Sequence, residues 1–574
     1  MDVTSVIGDY GKFQRNVFLF CVFRGFPNGL HLVVYTFFLP VVEHWCAQPD
    51  GLLFSNVTVE QWKAMALPRE TGLGGDVGYS GCSMFSATRV NDSGLVVYGN
   101  STVACDRWEY GESFYRHSLV QEWDLVCGKA WMRSWVQSAT MAGMLLGNLL
   151  CSGLGDRLGR RPVVIISFSL GFLGAIAVTL SHSYIFLLIA RAVVGLGLGL
   201  GQASSFCLLM EVIGPKERTS ASITFAIGFA AGLIALPGLA WVLQDWRHLQ
   251  AAITVPLAVL AAWSWWLPES PRWLIATGRL KEAREVILQA AAANGIDTKD
   301  VDSVIEQLHK KITEQNEEEG QVNCSQLLST PKVRLYSIIL IYISTACGAV
   351  FYGLQFLVTS LGGDPYVNFL LAAAAEFPVC LLCYCTVRWC RRRQTLLVIF
   401  AVGGACSIAV GLLMFAAGSE TVWLRQCLGI GGKLLASASL SLIWMFAAEV
   451  FPTMVRSVGV SACLMGTSVG SALVPFVIEL RNYTNEAVPL SILGGLFLLS
   501  AILVLVLPET FRVALPDTIR ETIELTRSRP KEKDSSCDSE VRPDIYTVCR
   551  LVPASNGISG IERPAATNPD ARVI

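Results

Sequence analysis

Four ionisable side chains stand inside long apolar stretches of this sequence: Arg24, Arg191, Glu376 and Lys433. Charge is costly in hydrocarbon, so such groups face an interior cavity, pair with one another, or mark the path of a solute. Glu376 falls within Leu370–Pro378, where a carboxylate can hold an organic cation. Arg24 precedes Asn28 by one helical turn, so the two share a face. Arg191 and Lys433 have a second reading, structural pairing or snorkelling to the interface. Gln202 and Ser441 are polar positions able to hydrogen-bond a solute. Aromatic faces can also cradle a cation, for about 0.5–2 kcal/mol per contact.

A second set of charges sits where apolar runs end. Gly153-Leu-Gly155-Asp156-Arg157-Leu-Gly159-Arg160-Arg161 joins two runs, and its small residues permit a tight turn. Its acid and arginines can make charge-assisted hydrogen bonds that hold a closed state on one membrane face. Glu211…Arg218 and Glu449…Arg456 each put an acid and an arginine seven residues apart, both opening with Glu-Val. Pro268-Glu269-Ser-Pro-Arg272 and Pro508-Glu509-Thr-Phe-Arg512 form another matched couple. All of these are expected to act in conformational gating.

The elements that carry these residues follow from composition. The chain has 574 residues, 53% hydrophobic and 16% charged, against about 25% charged in soluble domains. Apolar runs near the ~20 residues a bilayer requires fall at 16–42, 131–151, 162–180, 185–210, 219–243 and 248–267. Six more follow at 335–360, 366–387, 394–417, 423–448, 457–478 and 487–507. Continuous runs indicate helices rather than a β-barrel's short alternating strands. The expected fold is all-α, with twelve spans. The matched charge motifs divide it into two parallel six-helix repeats of one orientation.

Arginine and lysine cluster in the short connections after spans 2, 4, 8 and 10, which the positive-inside rule places in the cytoplasm with both termini. Residues 1–15 are then a cytoplasmic N-terminus, 16–274 the first half and 335–507 the second. Residues 275–334 form a cytoplasmic linker with an amphipathic helix over Leu280 to Ala293, and 508–574 a largely disordered cytoplasmic tail. A charged solvated face is the simple reading of linker and tail. The loop 43–130 lies outside. It carries sequons at Asn56, Asn91 and Asn100, and four cysteines, Cys46, Cys82, Cys105 and Cys127, expected as two disulfides. Four cysteines allow three pairings and the sequence does not choose among them.

The Asp156-Arg157 loop signature resembles that of the major facilitator superfamily. With the Glu…Arg pairs, Pro268-Glu-Ser-Pro-Arg-Trp273 and Gln121-Glu-Trp-Asp-Leu-Val-Cys127, the chain resembles the organic cation, anion and carnitine transporter family of solute carriers over residues 10–525. The resemblance implies plasma-membrane transport of small organic ions by alternating access, with no enzymatic activity. It places Phe351 and Tyr352 at the family's aromatic pair, Phe206, Phe229 and Trp444 on cavity-facing helices, and Glu376 on the substrate path. Pro27-Asn28-Gly29 and Gly432-Lys433 resemble the carnitine branch, which makes Na⁺ a conceivable coupling ion; H⁺ is the other.

The sequence also departs from the family. Ser152 replaces a glycine in the first loop motif, and Val387 and Cys390 replace the Asp and Gly of the second-half loop. Ser468 stands where cation carriers show Asp and anion or carnitine carriers show Arg. Arg24 is then expected to supply part of the missing charge opposite Glu376, a combination suited to a carnitine- or betaine-like zwitterion. An organic anion carrier and a transporter-fold receptor binding through 43–130 without flux are the competing readings. Gly195 to Gly201 alternates glycine with leucine but has no preceding strand, so helix packing is expected there rather than dinucleotide binding. The sequence shows no nucleotide-binding loop, no nucleic-acid signature and no metal-ligand set; a small solute and the bilayer are the expected partners.

Overall fold

A computed structural model describes residues 4–8, 10–48, 58–71, 77–90, 95–111, 116–214, 218–296, 301–319, 330–415, 421–452, 456–485 and 487–511. The first half contains span 1 (Lys12–Val33, continued by Tyr35–Phe38), span 2 (Met132–Leu158), span 3 (Arg160–Thr179), span 4 (Tyr184–Val212), span 5 (Arg218–Val242) and span 6 (Trp246–Ser264). The second contains span 7 (Pro331–Leu357), span 8 (Pro365–Ala374 and Glu376–Trp389), span 9 (Arg392–Phe415), span 10 (Val422–Val450), span 11 (Arg456–Glu479) and span 12 (Ala487–Val504). Below, the membrane face carrying residues 43–130 is the lobe face, and the face carrying the linker is the linker face.

Three details differ from the sequence reading. Span 2 runs on to Leu158, so Asp156 and Arg157 occupy a helix end rather than a loop. The turn into span 3 is Gly159 alone, at φ +100°, a conformation that excludes most side chains. Span 8 is broken at Ala375. Pro378 has no N–H for the carbonyl of Ala374, so the helix restarts at Glu376. The linker is more than a solvated face. Leu280–Asn294 and Val301–Glu319 bury Ala283, Ile287, Ala290, Val301, Ile305 and Leu308 against Ile7, Trp273 and Ile275.

Glycine packs both halves. Gly195 and Gly199 meet span 2, while Gly197 and Gly201 meet span 3, so the Gly-Leu run serves two neighbours at once. A Cβ on Gly195 would fall 1.9 Å from the Thr140 carbonyl oxygen. Spans 1 and 5 meet through Gly25, Gly29, Gly228 and Gly232, and spans 7 and 11 through Gly348 and Gly470. This is the same contact repeated in the two halves. Gly195→Leu is therefore expected to prevent assembly of the first half; size-exclusion chromatography of detergent extracts should show aggregate in place of a monodisperse peak.

The lobe holds the described strands. His44–Cys46 pairs antiparallel with Trp108–Tyr110, Arg69–Thr71 with Val77–Tyr79, and Ser83–Val90 with Leu95–Ala104. The disulfides are Cys46–Cys105 and Cys82–Cys127. Trp62 donates to the Cys46 carbonyl at 3.0 Å, and Lys63 lies 3.6 Å from the centre of the Trp45 ring. Tyr110 donates to Asp124 at 2.8 Å, and burial together with that carboxylate pushes the phenol pKa up. Asn100 is exposed on its strand; Asn56 and Asn91 lie outside the described residues. A native disulfide contributes about 2–5 kcal/mol to a small extracellular unit. Cys46→Ser is thus expected to cut the surface fraction of the protein sharply, measured by surface biotinylation.

Candidate solute site and gates

Glu376 opens the second piece of span 8 and is 6% exposed. Its carboxylate accepts hydrogen bonds from the Lys433 ammonium and the Ser437 hydroxyl, both on span 10. Lys433 is completely buried and also donates to the Ala372 carbonyl at 3.1 Å. Lys433 and Ser437 stand four residues apart, so span 10 presents them as adjacent rungs to one carboxylate. The break in span 8 helps, because it leaves the Ala372 carbonyl within reach of the same ammonium. Lys433 Nζ lies 5.6 Å from the centre of the Phe351 ring, and Phe351 packs edge-on to Tyr352 at 5.1 Å. Two opposite charges and the Phe351 ring thus converge from spans 7, 8 and 10.

The other expected site residues divide by location. Arg24 is 2% exposed and Asn28 3%, and Asn28 donates to Gln202 Oε1 at 3.3 Å, joining spans 1 and 4. Phe229 packs on span 1 through its backbone, close to Gly25 and Gly29. Trp444 donates to Thr467 at 3.4 Å. Phe206 and Ser441 are exposed, and Ser441 bonds back to the Ser437 carbonyl. Ser468 donates to Leu464 within its own helix. The direct partner of Glu376 is Lys433, a pairing the sequence reading assigned to neither residue. Lys433 is the ammonium bonded to Glu376, while Arg24 lies on span 1, one turn from Asn28.

The charge motifs on the linker face form one network in each half. Arg160 reaches Glu211 at 2.9 Å and Asp156 at 3.0 Å, while the backbone N–H groups of Arg160 and Arg161 donate to Glu269 at 2.9 and 3.1 Å. Trp273 donates to the Asp156 carbonyl at 3.1 Å. In the second half Arg392 reaches Glu449 at 3.4 Å, its N–H donates to Glu509 at 2.9 Å, and Thr510 donates to Glu449 at 2.5 Å. Arg392, not Arg391, therefore takes the place of Arg160, because the second turn is one residue longer. Arg456 donates to the Phe451 carbonyl at 3.3 Å. Arg157 and Arg272 are exposed, the Arg218 side chain is outside the described set, and Arg512 is outside the described residues. Each described bond of these motifs stays within its own half.

The described hydrogen bonds and ring contacts that join the halves lie toward the lobe face. Arg133 of span 2 pairs with Glu479 of span 11 at 2.7 Å, with side chains 9% and 7% exposed. Ser134 and Ser138 donate to the carbonyls of Pro475 and Ala472 at 2.9 and 2.6 Å. Tyr35 meets Phe356 at 4.9 Å, and Phe37 stacks on Tyr366 at 5.6 Å. The lobe face is closed in this structure. Sequence reasoning missed Arg133, Glu479 and both serines. The available signal was an arginine just inside one apolar run and an acid just past another, at matching depth.

The sugar (and other) transporter family model matches residues 85–520. Human organic cation/carnitine transporter 2 is 30% identical over 558 residues, which span 95% of this chain and 98% of that protein. The chain belongs to the organic cation/carnitine transporter family. A Drosophila melanogaster beta-alanine transporter is 29% identical over 551 residues, 91% of this chain and 88% of its own. Among solved structures, the major facilitator proton:xylose symporter XylE with 6-bromo-6-deoxy-D-glucose aligns with TM-score 0.57 at 15% identity, covering 88% of this chain and 98% of that one. XylE of E. coli in a partially occluded inward-open conformation gives 0.59 at 13% identity, covering 87% of this chain and 98% of that one. The fold is the twelve-helix major facilitator fold, and membership of the family makes the chain a multi-pass membrane transporter of small molecules.

Proposed function

We propose that this transporter carries small zwitterionic solutes of the carnitine or betaine class, with organic cations as weaker substrates, across the plasma membrane. The observation that carries the reading is the buried Lys433–Glu376 pair. A solute with a cation and a carboxylate can exchange partners with such a pair, its cation meeting Glu376 and its carboxylate meeting Lys433, leaving no buried charge unmatched. A simple cation satisfies Glu376 but strands Lys433, and a simple anion does the reverse. Phe351 and Tyr352 give the cation an aromatic wall. The names of the relatives, carnitine and beta-alanine transporters among them, support the same class.

Transport proceeds by rocking the two halves about the site. The Arg133–Glu479 contact set closes the lobe face in one state, and the Asp156, Arg160, Glu211 and Glu269 network braces the linker face of the first half for the other. The lobe lies outside the cell and the linker in the cytoplasm, as the arginine distribution indicates. The experiment is uptake of labelled carnitine, glycine betaine, tetraethylammonium and an organic anion by expressing cells, with and without Na⁺. Uptake of a zwitterion above the others supports the reading. Preference for the anion, or surface-expressed protein with no uptake of any, overturns it.

A further inference from the structure

Gln355 is fully buried in span 7, and neither its amide oxygen nor its amide nitrogen has a hydrogen-bond partner among the described residues. Buried polar side chains almost always find partners, and one that does not calls for a physical reason. Packing alone gives none, because an apolar side chain of similar size would fill the same space without an unpaired amide.

The position of Gln355 supplies the reason. It follows Phe351 by four residues and so shares its helix face, about 6 Å nearer the lobe. Phe351 borders the Lys433 ammonium. The next residue, Phe356, closes against Tyr35. The amide is thus held between the charged pair and the aromatic closure of the lobe face, a level that a solute reaching beyond Lys433 would occupy.

We propose that Gln355 is a specificity-determining residue whose amide N–H donates to an oxygen, carboxylate or hydroxyl, of the bound solute. This rests on the zwitterion reading of the Lys433–Glu376 site. The oxygen-bearing end lies beside Lys433 and extends toward Gln355, while a quaternary ammonium, having no N–H and no lone pair, stays at Glu376. The amide then separates oxygen-bearing zwitterions from bare cations of similar size. A site that hydrogen-bonds a substrate group rejects analogues lacking it far better than an apolar pocket rejects extra bulk.

The test compares glycine betaine with tetraethylammonium, which has no oxygen, in wild type, Gln355→Leu and Gln355→Asn at matched surface expression. Gln355→Leu is expected to raise KM for glycine betaine about tenfold with little change in maximal rate, and to leave KM for tetraethylammonium unchanged. Gln355→Asn should recover part of the loss. An equal fall for both solutes shows a structural role and overturns the inference. Unchanged KM for both, as expected for an amide satisfied by buried water, overturns it as well. Wild type that takes up no glycine betaine overturns the zwitterion reading and this inference with it; wild type that does, beside an unselective Gln355→Leu, overturns only the inference.

Discussion

Glu376→Gln is expected to reduce uptake several hundredfold while the protein still reaches the surface. The substitution keeps the shape of the side chain and removes its charge, leaving the fully buried Lys433 ammonium without a counter-ion. Breaking a buried pair by removing one partner costs about 3–5 kcal/mol, and each ~1.4 kcal/mol is a factor of ten in a rate or binding constant. Part of that cost falls on every state of the carrier and lowers its stability. The part that falls on solute binding lowers transport. Lys433→Met is expected to behave differently. It frees the carboxylate for a simple cation, so tetraethylammonium uptake should hold or rise while carnitine uptake falls. Opposite shifts for the two solutes in one variant are the signature of a site that reads both charges. Parallel loss of both would show that the pair is only structural.

Arg133→Glu is expected to open the lobe face. The variant sets two carboxylates where an ion pair stood, and the pair is buried enough for its loss to cost about 3–5 kcal/mol. A shift of that size takes a closed state from dominance to a minor population. Phe356→Cys, now covered by Tyr35, should become reactive to a membrane-impermeant maleimide from the lobe side in the Arg133→Glu background and stay protected without it. The exchanged double variant Arg133→Glu with Glu479→Arg should restore protection. Labelling unaffected by Arg133→Glu would remove the latch role from this pair, and failure of the exchange to rescue would point to Ser134 and Ser138 as the main closure.

The sequence makes the membrane-spanning character plain, because continuous apolar runs of the right length leave little choice between helix and barrel. The parallel repeat is equally readable from Glu211…Arg218 against Glu449…Arg456. Legibility stops at contacts between distant spans. Glu376 and Lys433 are each conspicuous as charges in apolar runs, yet nothing in their spacing shows that two different spans bring them together. Local periodicity placed Arg24 on the face of Asn28 but gave no means to rank it against Lys433 as the partner of Glu376. The one-residue offset that puts Arg392 in the place of Arg160 escapes a motif comparison, since three consecutive arginines fit the pattern in more than one register. The break in span 8 was written in Pro378, although a proline in a membrane helix is often tolerated without one. Gln355 is one glutamine in an apolar run, and its unpartnered amide becomes visible only once the helices are packed.

Counterflow separates a carrier whose paired charges read a zwitterion from a protein that only binds one. Purified protein is reconstituted in liposomes loaded with unlabelled glycine betaine, and entry of labelled glycine betaine is followed over time. An alternating-access carrier predicts a transient accumulation above equilibrium that is absent from empty liposomes and abolished by Glu376→Gln. Binding of the label without accumulation, unchanged by loading and by Glu376→Gln, would rule out carriage at this site and favour a transporter-fold receptor.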